Sequence, residues 1–188
     1  VQLIIKTPPT AEPVSLAEAK AHLRVNWSDD DALITAYAKA ARSGVEAYLK
    51  AACLATTYQL KLDRFPATIE LPVGPVLTAD GFSIKYLDDA GDEQTLAAGK
   101  YKVSLGERAI VRPSYGNTWP STRAELDAVT VEFVAGWPEA NLPAVIKAAV
   151  LLWLGDLYSN RENTLLGTAA IKMPTGIEAL LLPHVIHS

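Results

Sequence analysis

The sequence contains one cysteine, three histidines and no excess of basic residues, and each shortage closes off a class of function. With Cys53 alone, no disulfide can form within the chain, and the redox compartment stays open. Cys53 follows Ala51 and Ala52 at the end of a helical pattern, the place of a small buried hydrophobe. Nothing beside it would lower its pKa and make it a nucleophile. His184 and His187 stand three apart in a tail behind Pro183, and His22 lies far from them. No Cys/His pattern supplies the third ligand that zinc requires. Lys and Arg number 17 against 21 Asp and Glu, a net charge of −4. Wrapping a duplex takes many cations to displace counterions, so this balance argues against gripping DNA, though not against DNA sliding past. Long hydrophobic runs are missing too: the longest, Ala148 to Gly155, falls far short of the ~20 residues of a membrane span. The opening Val1-Gln2-Leu3-Ile4-Ile5 is cut short by Lys6 and Pro8-Pro9, so a soluble protein without a signal peptide is expected.

The familiar catalytic signatures are equally scarce. There is no Gly-x-Ser-x-Gly nucleophile elbow and no glycine loop to cradle a phosphate. Asp29-Asp30-Asp31 lacks the alternating oxygens, central glycine and distant glutamate of a calcium loop. Consecutive carboxylates at a helix start point in different directions, and they read as partners of the helix dipole. No catalytic residue, metal site or cofactor is expected, and the chain is not expected to be an enzyme.

What is present is a chain of 188 residues, about half of them apolar, enough to bury a real core. Ser15-Leu16-Ala17-Glu18 reads as a capping box after Pro13, and Leu16, Ala19 and Leu23 then share a helical face. Ser28 is the expected N-cap of a second helix, striped by Ile34, Tyr37, Ala38, Ala41, Val45, Tyr48, Leu49 and Ala52. After Leu54 the pattern turns β-like at Thr56 to Leu62, Ile69 to Leu71, Phe82 to Leu87, Tyr101 to Ser104, Ala109 to Arg112 and Val129 to Val134. Asp88-Asp89-Ala90-Gly91-Asp92 has the chemistry of a hairpin turn. Helical spacing returns after Asn141-Leu142-Pro143 with Ile146, Ala149, Val150, Trp153, Leu154, Leu157 and Tyr158, ending near Arg161 or Asn163. A short amphipathic segment, Gly176 to Leu182, stops at Pro183. The expected organisation is a helical part over 1–54, a β-rich insertion over 55–140, and a C-terminal helix and tail over 141–188, together one composite domain.

Three features point to contact surfaces. Trp119 and Trp137 each precede a proline, which favours extended backbone; either ring can pack over a sheet edge or meet a partner. Arg108, Arg112 and Arg123 gather in the strand region, either solvated or facing a neighbour's acids. Ala179 to Ile186 places several apolar side chains in a segment that would ordinarily fray. They either dock on the chain's own core or insert into a partner.

The order of these segments resembles the head–tail connector (adaptor) proteins of tailed phages and gene transfer agents. The likeness is carried by Glu12 to Val25, Asp29 to Ile34, Ala40 to Tyr48, Leu62-Asp63-Arg64-Phe65-Pro66, Ile69-Glu70-Leu71-Pro72, Tyr115-Gly116-Asn117-Thr118-Trp119-Pro120 and Gly176 to Leu181. Each motif alone is common; their joint order is the specific signal. The resemblance implies an α+β fold, a mainly α-helical adaptor bundle with a small antiparallel β-sheet inserted between helices 2 and 3. It implies a twelve-fold homo-oligomeric ring beneath the portal protein, in the neck of a particle assembled in a bacterial cytoplasm. A stopper or head-closure protein would bind the opposite face. DNA would pass through the channel without sequence-specific binding, and no membrane is involved. Ile177, Leu180, Leu181, Leu182, Val185 and Ile186 are the residues this reading assigns to the portal. Trp119, Arg112 and Arg123 are assigned to a neighbouring subunit or the stopper. Alternatives are a tail-completion or other neck protein, or a small enzyme or ligand-binding module, which would need a deep polar pocket. A ring closes through a heterologous interface, and acids lining its channel would repel phosphates.

Overall fold

A computed structural model describes residues 1–160 and 175–186. The described residues form two compact units, one of residues 1–9 and 55–137, the other of residues 10–54, 138–160 and 175–186.

The first unit is built from strands. β1 (Gln2–Thr7), β2 (Thr56–Leu62), β4 (Ser83–Leu87), β5 (Glu93–Thr95) and β8 (Val129–Ala135) make a five-stranded antiparallel sheet in the order β1-β2-β8-β4-β5. β3 (Ile69–Glu70), β6 (Tyr101–Ser104) and β7 (Ile110–Pro113) make a second, in the order β3-β7-β6. The long pair β2 and β8 runs from Thr56 opposite Ala135 to Leu62 opposite Val129, and burial alternates along both strands. Side chains on successive residues of a strand point to opposite faces, so this register sorts them cleanly. One face carries Tyr58, Leu60, Leu62, Val129, Val131, Phe133 and Ile84, all buried, with the Tyr58 and Phe133 rings stacked at 5.7 Å. The other face carries Gln59, Lys61, Lys85, Thr130 and Glu132. The smaller sheet adds Ile69, Val111 and Tyr101 to the buried set.

The β4–β5 hairpin turns on Asp88. Its carboxylate accepts from the backbone N–H groups of Ala90, Gly91 and Asp92 at 3.0, 3.1 and 3.0 Å, and from the Gln94 side chain at 2.9 Å. These bonds, that of Gln94 foremost, hold Asp88 below the usual carboxylate range. Gly91 has φ +94, and a Cβ there would collide with the Arg123 guanidinium.

The second unit is helical. α1 (Leu16–Leu23) begins with the reciprocal capping box: Glu18 N–H donates to Ser15 Oγ at 3.3 Å, and Ser15 N–H to the Glu18 carboxylate at 2.9 Å. α2 (Asp31–Leu49) buries Ile34, Ala38, Ala41, Val45 and Leu49, four-residue and three-residue steps along one face. α3 (Ala144–Ser159) meets it with Ile146, Ala149, Val150, Trp153 and Leu154. The close approach depends on Gly44, where any Cβ would overlap the Trp153 indole. α4 (Thr175–Leu181) packs on α3 and runs into a 3₁₀ turn, Leu182–His184.

The fold is not the mainly helical bundle with a small sheet that the resemblance implied. Among the described residues there are four helices and eight strands in two antiparallel sheets, 34% helix and 26% strand. The strands have their own core, closed by pairings between segments far apart in sequence, so the β region is a full partner of the helices in mass. Gln2–Thr7 contributes a strand that its short apolar run did not announce. Two helix starts also differ. Ser28 is a turn residue, its carbonyl accepting from Asp31 N–H at 3.1 Å, and Asp30 occupies the N-cap. Asn141 lies in a 3₁₀ turn, and Pro143 directly precedes α3. Arg161 and Asn163, the expected end of α3, lie outside the described residues, and so do His187 and Ser188.

Candidate functional site: surfaces of the two units

Half-buried polar groups of the helical unit form a structural network. Arg42 donates through Nε to Glu12 at 2.7 Å and through Nη1 to Glu46 at 2.9 Å, and Glu46 in turn accepts from Cys53 N–H at 2.9 Å. Burial raises the Glu46 pKa against the pull of the Cys53 N–H and of Arg42. Burial works against the Arg42 charge, yet Glu46 and Glu12 more than offset it and raise its pKa. The Cys53 thiol is pushed far up, by burial first and by the nearby Glu46 carboxylate second, and so stays protonated. These residues brace the helices. Of the acidic trio, Asp31 pairs with Lys20 at 2.6 Å, and Asp30 accepts from the Tyr158 hydroxyl at 2.5 Å. Among the described residues no three His, Cys, Asp or Glu side chains are grouped to hold a metal, and no helix is long and apolar enough to cross a membrane.

The polar face of the five-stranded sheet is a ladder of matched charges. Lys6 pairs with Glu132 at 2.7 Å, Lys61 with Asp127 at 3.3 Å and Lys85 with Glu93 at 2.8 Å. Glu132 is held below its ordinary pKa: burial opposes this, but hydrogen bonds from Lys6 and Gln59 prevail. A groove of about 230 Å³ along α1 and α2 is walled mainly by Val14, Leu16, Ala19, Ile34 and Ala38, with Glu12, Ser15, Thr35 and Glu139 beside them.

The C-terminal segment divides in two. Ile177 and Leu181, one helical turn apart, are buried inside the unit. The Ile186 N–H donates to the Leu49 carbonyl at 3.0 Å, which ties the tail to the end of α2. Leu182 is left 58% exposed, and Leu180, Val185 and Ile186 are half-buried. Helical spacing alone did not tell the residues facing the chain's own core from those facing outward.

Trp119, Arg112 and Arg123 do not form one patch of equivalent groups. The Trp119 ring stacks on Phe65 at 4.8 Å and 8°, and Phe65 stands edge-on to Tyr86 at 5.8 Å. Its indole N–H is buried without a hydrogen-bond partner. Arg112 lies on β7 and donates to Thr68 Oγ1 at 2.9 Å. Arg123 belongs to the loop before β8, where its N–H donates to the Leu87 carbonyl at 3.1 Å and its guanidinium pairs with Glu125 at 3.4 Å.

Tyr115 was not singled out by its sequence context as an exposed aromatic. It is fully exposed at the tip of a turn closed by Asn117 N–H on the Ser114 carbonyl at 2.9 Å, with Gly116 at φ +77. Lys100 braces the turn, its Nζ donating to Asn117 Oδ1 at 3.0 Å. The Ser-Tyr-Gly-Asn string was the available signal, since glycine at the third turn position marks a type II turn.

Surfaces of this kind, with charges matched on the sheet face and apolar side chains exposed at Tyr115 and Leu182, suit a structural subunit of an assembly. Residues 13–93 match the family of phage gp6-like head-tail connector proteins. Three solved structures match over 100% of this chain and 97% of theirs, each at 25% identity. They come from the virion of a native gene transfer agent particle (TM-score 0.80), the neck of an empty particle computed with C6 symmetry (0.79), and the neck of a native particle computed with C12 symmetry (0.78). No curated protein gives a significant match. The chain is thus similar to head–tail connectors over residues 13–93 and, end to end, to chains of gene transfer agent necks, which supports a structural connector or neck subunit.

Proposed function

We propose that the chain forms the adaptor ring beneath the portal, joins the capsid to the tail through a stopper protein, and leaves a channel through which DNA passes. It does so by shape, without turnover of a substrate. The observation that carries this reading is the end-to-end similarity to a chain in a twelve-fold neck. Twelve copies around an axis need an interface that differs on the two sides of each subunit, and they form a closed collar when the rotation closes. The net charge of −4 and the paired cations of the sheet face favour passage of DNA over capture. Cryo-electron microscopy of purified particles, tracing this chain along the neck axis, tests the reading. A single ring between portal and stopper is expected, and density for this chain at the tail tip would refute it.

The portal contact is assigned to Leu182 with the half-buried Leu180, Val185 and Ile186. Ile177 and Leu181 support that contact from inside the unit. Leu182→Glu changes an exposed side chain, so stability should move by less than about 0.5 kcal/mol. Binding to purified portal should fall by about tenfold or more. Unchanged portal binding would remove Leu182 from the interface.

A further inference from the structure

The two edges of the five-stranded sheet are unlike. β5 is three residues long, all polar and exposed, with Glu93 tied to Lys85. Short length and charge are standard ways of keeping a free edge from pairing with another chain. β1 lacks that protection. Leu3 and Ile5 stand opposite Leu60 and Tyr58, and so lie on the apolar face of the sheet. Leu60 and Tyr58 are 1% and 7% exposed, whereas Leu3 and Ile5 are 36% and 57% exposed. The core face therefore runs out to the edge and leaves its last column in water. The one charge on the strand, Lys6, falls at the register irregularity between Ile5 and Thr7 and turns to Glu132 on the opposite face. Among the described residues no strand pairs with the outer side of β1.

We propose that this edge is the ring interface, and that the outer side of β1 pairs with the β5 edge of a second copy of this chain. This rests on the ring reading above. A rotationally closed ring needs two different, complementary patches on each subunit, and the two free ends of one sheet supply them. Both edges offer unpaired backbone donors and acceptors, over four residues in Gln2–Ile5 and three in Glu93–Thr95. Gln94 lies opposite Tyr86, so its side chain shares the face of Leu3 and Ile5. Strands spaced ~4.8 Å apart, five to a subunit and twelve subunits to a turn, close a circle of about 90 Å in diameter. The portal and the stopper are less suited to this edge. They meet the ring along its axis, whereas a sheet continued around the axis must be completed by the next copy.

Particles built with a photoreactive benzoylphenylalanine in place of Ile5 test the proposal. Irradiation should yield a ladder of multimers of this chain alone, and mapped peptides should join position 5 to residues around 93–95. Cross-links to another neck protein, or within one copy only, would overturn it. As a second arm, Ile5→Lys should leave the isolated subunit with an unchanged unfolding midpoint while its incorporation into necks falls about tenfold. Normal incorporation of that variant would also overturn the interface. If the unmodified chain were absent from necks, the adaptor reading itself would fail. If it were present there with position 5 bound to another protein, only the edge pairing would fail.

Discussion

In the helical unit, burial is arranged between faces: a stripe on α2 meets a stripe on α3, and one glycine at the crossing sets how near they come. In the β unit it is arranged between registers, with Thr56 to Leu62 locked residue by residue against Ala135 to Val129 across more than sixty intervening positions. A face tolerates small slips, because its neighbours repack. A register does not, since one residue of slip turns every core side chain outward. The helical unit is thus sensitive to volume and the β unit to order.

That contrast can be broken most severely at Phe133. Its ring is fully buried and stacked on Tyr58, and Phe133→Ala should cost about 3–5 kcal/mol, measured by denaturant unfolding. Amide exchange should speed up first in β2, β8 and β4; equal acceleration in α2 and α3 would erase the distinction between the units. Gly44→Ala should come next. It gains about 1 kcal/mol of helix propensity, yet it drives a methyl group into Trp153, and overpacking of this kind gives a net loss of about 1–3 kcal/mol. A stabilised variant would show that the crossing has slack.

The smallest effect concerns acid. Glu18 is lowered from 4.5 to about 2, by the Lys147 hydrogen bond foremost and then by the Ser15 backbone and hydroxyl. A depressed carboxylate contributes its stability above the unfolded value and loses it as the folded form takes up a proton. The contribution of Glu18 should therefore fade between pH 4.5 and about 2. The residue is well exposed, so solvent screening limits the effect to about 0.5 kcal/mol. Glu18→Gln should flatten that part of the stability curve; an unchanged acid limb would mean other carboxylates dominate.

The helices were legible because their signals are local. Ser15 and Glu18 stand three apart and cap each other, and the buried stripe of α2 repeats within a few residues. β2 and β8 were equally plain, each alternating over seven residues. β1 was not. Leu3-Ile4-Ile5 shows no alternation, because Ile4 is half-buried on the otherwise polar face, and its pairing partner lies more than fifty residues away. β5, wholly polar, carries no hydrophobic signal at all. In the tail the difficulty was of another kind. The spacing that lets Ile177 and Leu181 dock on the chain's own helices is the spacing that would serve a partner, so periodicity could not separate the two roles. Trp119 likewise reads the same before and after its ring finds Phe65.

The enclosed, protonated Cys53 has a practical consequence. Thiol reagents will pass over the native chain, so a cysteine introduced at the exposed Tyr115 would be its sole reactive handle. A gold cluster or fluorophore attached there would mark where each copy's turn points within an intact particle, without first removing a native thiol.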